Sequence, residues 1–234
     1  MRLIFFIVNN IVENIKRIRE ELPSTVKLIA VSKTRPVEAI KKALSAGQLR
    51  FGENKALELV AKNEQIPNAE WHFIGHLQTN KVKYIAPFVT MIQTVDSFRL
   101  LNEINRQAQK NNRIIQCLLE VHVAQEEEKS GLRGDEIFRL LEMPEIVDLH
   151  NIRICGLMTM ATNTDDKSLI RAEFRQLADI YKQIKHRFFA NDSTFCELSM
   201  GMTDDYPIAI EEGSTIVRIG AGVFLNTLNP QAKK

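Results

Sequence analysis

The sequence predicts an α/β protein built as a closed (β/α)8 TIM barrel, and three observations carry that expectation. Eight short runs are apolar and rich in β-branched residues. Helical periodicities occupy the gaps between them. No Pro/Gly/Ser-rich linker or low-complexity tract divides residues 1–234, so a single domain is expected. Strands alternating with helices imply parallel pairing through βαβ units, and eight such units suit a closed barrel. An open, doubly wound sheet is the alternative, although no GxGxxG turn follows the first strand to favour it.

Val8, Ile11, Ile15, Ile18 and Leu22 recur at spacings of 3 and 4, the stripe of an amphipathic N-terminal helix. The apolar run within it, Leu3 to Val8, is short for a signal sequence, and no small-residue cleavage site follows. The strand candidates are "LIAVS" (Leu28–Ser32), "LRFG" (Leu49–Gly52), "WHFIG" (Trp71–Gly75) and "TMIQTV" (Thr90–Val95). They continue with "IQCLLEVHV" (Ile115–Val123), "RICGLMTM" (Arg153–Met160), "FCELSM" (Phe195–Met200) and "TIVRIG" (Thr215–Gly220). After the first strand, Pro36 suits a first helical position, Val37, Ile40 and Leu44 form the stripe, and Gly47 suits the stop. Ile170, Phe174, Leu177, Tyr181, Ile184 and Phe188 mark the longest helix. Asp204 and Asp205 are expected to cap the helix ending at Gly213. Little chain follows the eighth strand, so the N-terminal helix is expected to fill the place of an eighth outer helix.

Composition narrows the function classes. Of 234 residues, 44% are hydrophobic and 26% charged, an ordinary globular balance with enough chain for a full core. Basic and acidic residues number 31 and 29, a net charge of +2, which offers no electrostatic case for nucleic acid or membrane. Cys117, Cys155 and Cys196 are odd in number and far apart, so three reduced core thiols in a cytoplasmic protein are expected.

The unusual residues converge on one rim. In a barrel, chemistry sits at the C-terminal strand ends, with phosphate often held after strands seven and eight. Lys33 ends strand one, "FGEN" (Phe51–Asn54) ends strand two, and "GHLQTNK" (Gly75–Lys81) follows strand three. His122 lies near the end of strand five, "SMGMTDD" (Ser199–Asp205) follows strand seven, and "RIGAG" (Arg218–Gly222) ends strand eight. Gly201, Gly220 and Gly222 would let backbone N–H groups approach an anion, with the Ser199 hydroxyl beside them. Each turn alone is ordinary; their joint placement suggests a phosphate site. Arg218 shares a strand face with Ile216 and Gly220. Facing inward, it needs an anion or an acceptor, or an ion pair with an interior carboxylate such as Glu120. A lysine desolvated near that cation loses its proton more easily and becomes a nucleophilic amine. Lys33 beside a phosphate cradle suggests a Schiff base with a phosphorylated aldehyde or ketone. His72 and His76 lie on a strand and its turn, a poor metal pair, and "EEEKSG" (Glu126–Gly131) reads as a solvated loop.

"AVSKT", "FGEN", "WHFIGHLQTNK", "EEEKSG", "GLMTM", "LSMGMTDD" and "GSTIVRIGAGVF" resemble, in that order, the pyridoxal 5′-phosphate (PLP) homeostasis proteins. The similarity spans about Lys27 to Phe224. The resemblance implies the barrel of the alanine racemase N-terminal domain standing alone, mostly as a monomer, with PLP as cofactor. It implies that Lys33 forms the internal aldimine, that Ser199 and the backbone around Gly201, Gly220 and Ala221 hold the phosphate, and that Arg218 meets the pyridine nitrogen. Asn54 and Met158 would lie near the ring. Two positions depart from the family pattern: His122 stands where an asparagine is expected, and Leu225 where a glycine is expected after Phe224.

A neutral pyridine nitrogen opposite an arginine supports carbanion chemistry poorly. Racemases of the related group use a tyrosine from a second domain, and here only Tyr84, Tyr181 and Tyr206 are available, none ending a strand. The expectation is a PLP-binding protein of cofactor and amino-acid homeostasis with little or no catalysis, apo PLP-dependent enzymes being possible acceptors. A PLP-dependent racemase or decarboxylase is the enzyme alternative, and a Schiff-base aldolase of a sugar phosphate the off-family one.

Overall fold

Four apolar residues buried in succession make Lys27–Val31 a strand covered on both faces (β1), the pattern of a parallel sheet under helices. Seven more follow: β2 (Arg50–Glu53), β3 (Glu70–Phe73), β4 (Met91–Val95), β5 (Ile115–Glu120), β6 (Ile152–Met158), β7 (Glu197–Ser199) and β8 (Ile216–Ile219). All pair in parallel in chain order, and β8 returns to β1 with Lys27 opposite Ile216 and Ala30 opposite Ile219. The sheet is a closed barrel, as expected, and the open sheet is excluded. This computed structural model describes residues 2–128 and 130–225, with the backbone alone for residues 2–10. Lys129 of the solvated loop and the Val8 side chain of the N-terminal stripe therefore lie outside the described residues.

The outer layer is helical. It comprises α1 (Arg2–Glu21), α2 (Val37–Ser45), α3 (Ala56–Gln65), α4 (Val82–Ile85), α5 (Phe98–Lys110), α6 (Glu136–Glu142), α7 (Lys167–Phe188), α8 (Tyr206–Glu211) and α9 (Ala221–Phe224). Because α9 is a single turn, α1 covers its flank. Ile11, Ile15 and Ile18 bury against the barrel, and the buried Asn14 donates to the carbonyls of Val223 (3.2 Å) and Leu225 (3.1 Å). Arg19 of α1 donates to Ala46 O (3.0 Å) and Gly47 O (2.8 Å), closing the ring against α2. Leu225 is extended, with φ −92°, so this position does not need the glycine of the family pattern. Among the described residues no helix is long and apolar enough to cross a membrane.

Inside the barrel a second cluster joins Ile29, Met91, Leu118, Cys155, Met158 and Ile216. Cys155 and Met158 differ by an odd number, which a regular strand would put on opposite faces. The pairing of β5 with β6 shifts register beside Gly156, whose φ is +154°, and this bulge returns Met158 to the interior. A Cβ on Gly156 would lie 1.8 Å from Glu197 O, so only glycine lets β7 approach.

Three expectations need correction. Pro36 is the extended N-cap of α2, with ψ 155°, rather than its first helical residue. Asp205 holds the N-cap position of α8, but its carboxylate turns back to accept from Met202 N (2.5 Å), bracing the loop instead of the helix. Cys196 is exposed, because β7 is only three residues long and begins after it; Cys117 and Cys155 are buried and all three thiols are free.

Candidate functional site

The mouth is assembled from strand ends. Ile29 of β1 sits opposite Arg218 of β8, and Val31 sits opposite Gly52 of β2. Two residues beyond that last pair the chain reaches Lys33 on one side and Asn54 on the other. Lys33 occupies an exposed turn, and among the described residues no hydrogen-bond or ion-pair partner reaches its amine. Thr34 next to it has φ +63°, a left-handed conformation that is a genuine outlier for a β-branched residue. Asn54 is half-buried.

Arg218 is the interior cation that the alternation implied. It is 4% exposed; one guanidinium N–H donates to Ser199 Oγ (2.6 Å) and another to Thr159 O (2.8 Å). Among the described residues no carboxylate pairs with it, so the ion pair with Glu120 that the sequence left open is absent. Burial pushes its pKa down to about 10, opposed by the charges of Asp205 and Glu120, and it stays protonated at neutral pH.

Ser199 Oγ accepts from Arg218 and donates to Gln93 Oε1 (2.7 Å), and Gln93 Nε2 lies 2.9 Å from His72 Nδ1. Residue 199 faces the barrel interior, where its hydroxyl joins Arg218 to Gln93. The next hydroxyl along the loop is Thr203, whose Oγ1 accepts from Gly222 N (3.4 Å) and joins the β7–α8 loop to the turn before α9. Sequence reasoning passed over Thr203 although it lies within "SMGMTDD". Gly201, at φ +94°, turns its bare α-carbon toward α8, where a Cβ would meet Ala209 Cβ at 2.6 Å. Its glycine is thus required by packing, while Gly220 and Ala221 form the turn itself, at the start of α9.

Glu120, Met158 and Ser199 stand directly opposite one another across β5, β6 and β7. Met158 is fully buried. Glu120 is also buried; Oε1 accepts from Ser130 Oγ (3.2 Å), and among the described residues Oε2 has no hydrogen-bond partner. Burial raises its pKa, against the Ser130 hydrogen bond, and the charge of Asp96 adds to the rise. His122 donates from Nε2 to Glu126 O (2.9 Å), so its ring is drawn to the loop after β5. Tyr84, Tyr181 and Tyr206 lie on helices. His76 Nδ1 is 3.6 Å from Asp96, and no metal-binding cluster occurs among the described residues. A cavity of about 460 Å3 adjoins the mouth between Asn54, Glu58, His76 and Lys81.

One further group lay outside sequence reasoning. Lys62 of α3, with a side chain 7% exposed, donates to Ser32 O (2.8 Å), Glu53 Oε1 (2.6 Å) and Glu58 Oε1 (2.7 Å). Ser32 Oγ donates to Glu53 Oε1 (2.6 Å), and Thr34 N donates to Glu58 Oε1 (2.9 Å). Burial raises the Glu53 pKa more than the Lys62 and Ser32 hydrogen bonds lower it. For Glu58 burial is the largest single influence and raises the pKa, yet the hydrogen bonds from Lys62 and Thr34, with the charges of Lys62 and Lys55, hold it below the usual value.

Residues 8–227 match the model of the alanine racemase N-terminal domain family. The pyridoxal phosphate homeostasis protein of Haemophilus influenzae is 39% identical over 205 residues, covering 86% of this chain and 85% of that protein. The protein of the same name from Escherichia coli K12 is 32% identical over 231 residues, covering 92% and 96%. The structure of PipY from Synechococcus elongatus with PLP bound superposes with a TM-score of 0.84 at 33% identity, covering 92% of this chain and 99% of that one. An alanine racemase from Streptomyces coelicolor, 14% identical with a TM-score of 0.72, shares the fold; the match covers 92% of this chain and 58% of the racemase.

Proposed function

The chain belongs to the pyridoxal phosphate homeostasis protein family, and from that membership and the geometry of its mouth we propose that it holds PLP reversibly on Lys33. The observation that carries the proposal is Arg218: a buried, permanent cation without an ion-pair partner among the described residues, on the strand adjacent to the one that leads to Lys33. A small rigid aldehyde with a ring nitrogen and a phosphate fits this donor set. Lys33 would hold such an aldehyde through its amine, with one water released on attachment. Arg218 would donate to the ring nitrogen, Met158 and Asn54 would flank the ring, and the backbone around Gly201, Gly220 and Ala221 with the Thr203 hydroxyl would hold the phosphate. Ser199 acts through Arg218, which it orients.

When bound, PLP supplies an electron sink whose strength depends on protonation of its ring nitrogen. A guanidinium is too weak an acid to give up its proton, so Arg218 would leave that nitrogen neutral and the sink weak. This supports a carrier with little catalysis; the proposal places it in the cytoplasm as a monomer that releases cofactor to apo-enzymes, as the family resemblance implies. The deciding experiment is the absorbance spectrum before and after borohydride, followed by peptide mapping. Bleaching with the cofactor mass on the Lys33 peptide is expected; a colourless protein, or label spread over other lysines, refutes the proposal.

One observation favours the enzyme alternative, a racemase or decarboxylase. Glu120 is a buried acid with one oxygen unpartnered among the described residues, level with Met158. Exchange of α-protons in added amino acids at an enzymatic rate, abolished by Glu120→Gln, would establish it.

A further inference from the structure

We propose that Lys62 is a positioning residue for Lys33: its ammonium, from the outer helix α3, clamps the peptide groups on both sides of the reactive lysine. This rests on Lys33 being the cofactor lysine. An ammonium has three N–H donors, and all three are used, on Ser32 O, Glu53 Oε1 and Glu58 Oε1. The first acceptor belongs to the residue before Lys33. The third acceptor, Glu58 Oε1, also accepts from Thr34 N, on the residue after it. Glu53 closes the device by taking the Ser32 hydroxyl as well.

The turn needs such a clamp. The Lys33 side chain has no partner of its own among the described residues, so its amine is aimed only by its backbone. That backbone includes the left-handed Thr34, a conformation that persists only where surrounding contacts over-determine it. A buried lysine with two carboxylates is a poor choice for stability alone, since apolar side chains of similar volume often serve as well. What they cannot do is hold a carbonyl before the lysine and an N–H after it. Lys62 thus keeps Lys33 in one binding-competent geometry and removes the affinity penalty of a wandering turn.

The test compares Lys62→Met with Lys27→Met, which removes a different partly buried ion pair, to Glu197 in the barrel interior. If the turn is competent one tenth of the time without its clamp, PLP affinity falls about 10-fold. Lys62→Met is expected to weaken PLP binding by that factor, with the adduct still on Lys33. Amide exchange across residues 32–35 should accelerate in the protein without PLP, and Lys27→Met should change neither. Wild-type affinity and exchange in Lys62→Met, or equal loss in Lys27→Met, would overturn the proposal. Should Lys62→Met not fold, Glu58→Ala, which cuts the Thr34 arm, carries the same comparison, and unchanged affinity and exchange refute the clamp. Failure of the Lys33 assignment is separately visible, because wild-type protein would then show no borohydride-fixed adduct on that lysine.

Discussion

The Nδ1 of His72 and the carboxamide nitrogen of Gln93 lie 2.9 Å apart inside the barrel, and the amide can only donate there, because its oxygen already accepts from Ser199. His72 Nδ1 is therefore the acceptor, and the ring is neutral with its proton on Nε2. Burial, then the charges of Arg50 and Lys27, lower the His72 pKa to about 3. The folded state thus binds fewer protons than the unfolded chain between about pH 3 and the unfolded value of 6.5, so stability falls as pH drops through that window. Near pH 4.5 the loss from this residue is on the order of 3 kcal/mol at 1.36 kcal/mol per pH unit. His72→Gln keeps an acceptor for Gln93 without a titrating group. Urea unfolding at pH 7 and 4.5 should show a markedly smaller acid loss in the variant; parallel losses would mean that His72 charges freely in the folded state.

Ser199→Ala and Thr203→Val should separate two roles that the sequence alone merges. Removing the Ser199 hydroxyl leaves Gln93 Oε1 and one Arg218 N–H without their partners, a cost of about 1–3 kcal/mol. The absorbance of bound PLP should shift as Arg218 reorients, while inorganic phosphate still competes with PLP as in the wild type. Thr203→Val should instead keep stability within about 1 kcal/mol, the net value of one long hydrogen bond, and weaken phosphate competition. The converse pattern would return Ser199 to the phosphate.

Much of this arrangement is legible in the chain because strands buried on both faces read as unbroken apolar runs, and any charge at the inner parity then stands out. Lys33 and Arg218 were visible for that reason. Gln93 and His72 carried a similar signal, polar residues at inward parity within "TMIQTV" and "WHFIG", and that parity would have found them. The clamp was hidden differently. Glu58 and Lys62 are four apart on a helix, the ordinary mark of a solvated face, and nothing local tells that α3 turns this pair inward onto the Lys33 turn. Cys196 was misplaced because the end of a three-residue strand cannot be located from apolarity alone.

Gly201→Ala should behave as a packing variant. Its φ of +94° is strained for any side chain, and the added methyl would lie 2.6 Å from Ala209 Cβ and 2.9 Å from Tyr206 Cα. Overpacking of this kind costs about 1–3 kcal/mol, which lowers Tm by roughly 2–4 °C per kcal/mol for a chain of this size. Calorimetry without PLP checks it. An unchanged Tm with lost phosphate affinity would mean that the bare α-carbon of Gly201 serves the phosphate alone and not the packing against α8.

Arg218 sets stability against binding. Its guanidinium is desolvated without an ion pair among the described residues, while Asp205 and Glu120 lie near enough to raise its pKa without touching it. A buried charge so placed contributes little to folding, and an apolar residue of similar volume is often neutral or better. Arg218→Met should therefore cost no more than the about 1–3 kcal/mol of leaving the Thr159 carbonyl without its donor. The same change removes the donor to the ring nitrogen, so PLP retention through dialysis should drop by about 10-fold or more, the loss of one charge-assisted hydrogen bond. Arg218→Glu should go further: it adds an anion near Glu120 and Asp205, and should both weaken retention and alter the absorbance of bound cofactor. If instead Arg218→Met unfolds well below the wild-type Tm while PLP stays bound with an unchanged spectrum, the arginine is a structural cation serving Ser199 and Thr159, and the ring nitrogen has another partner.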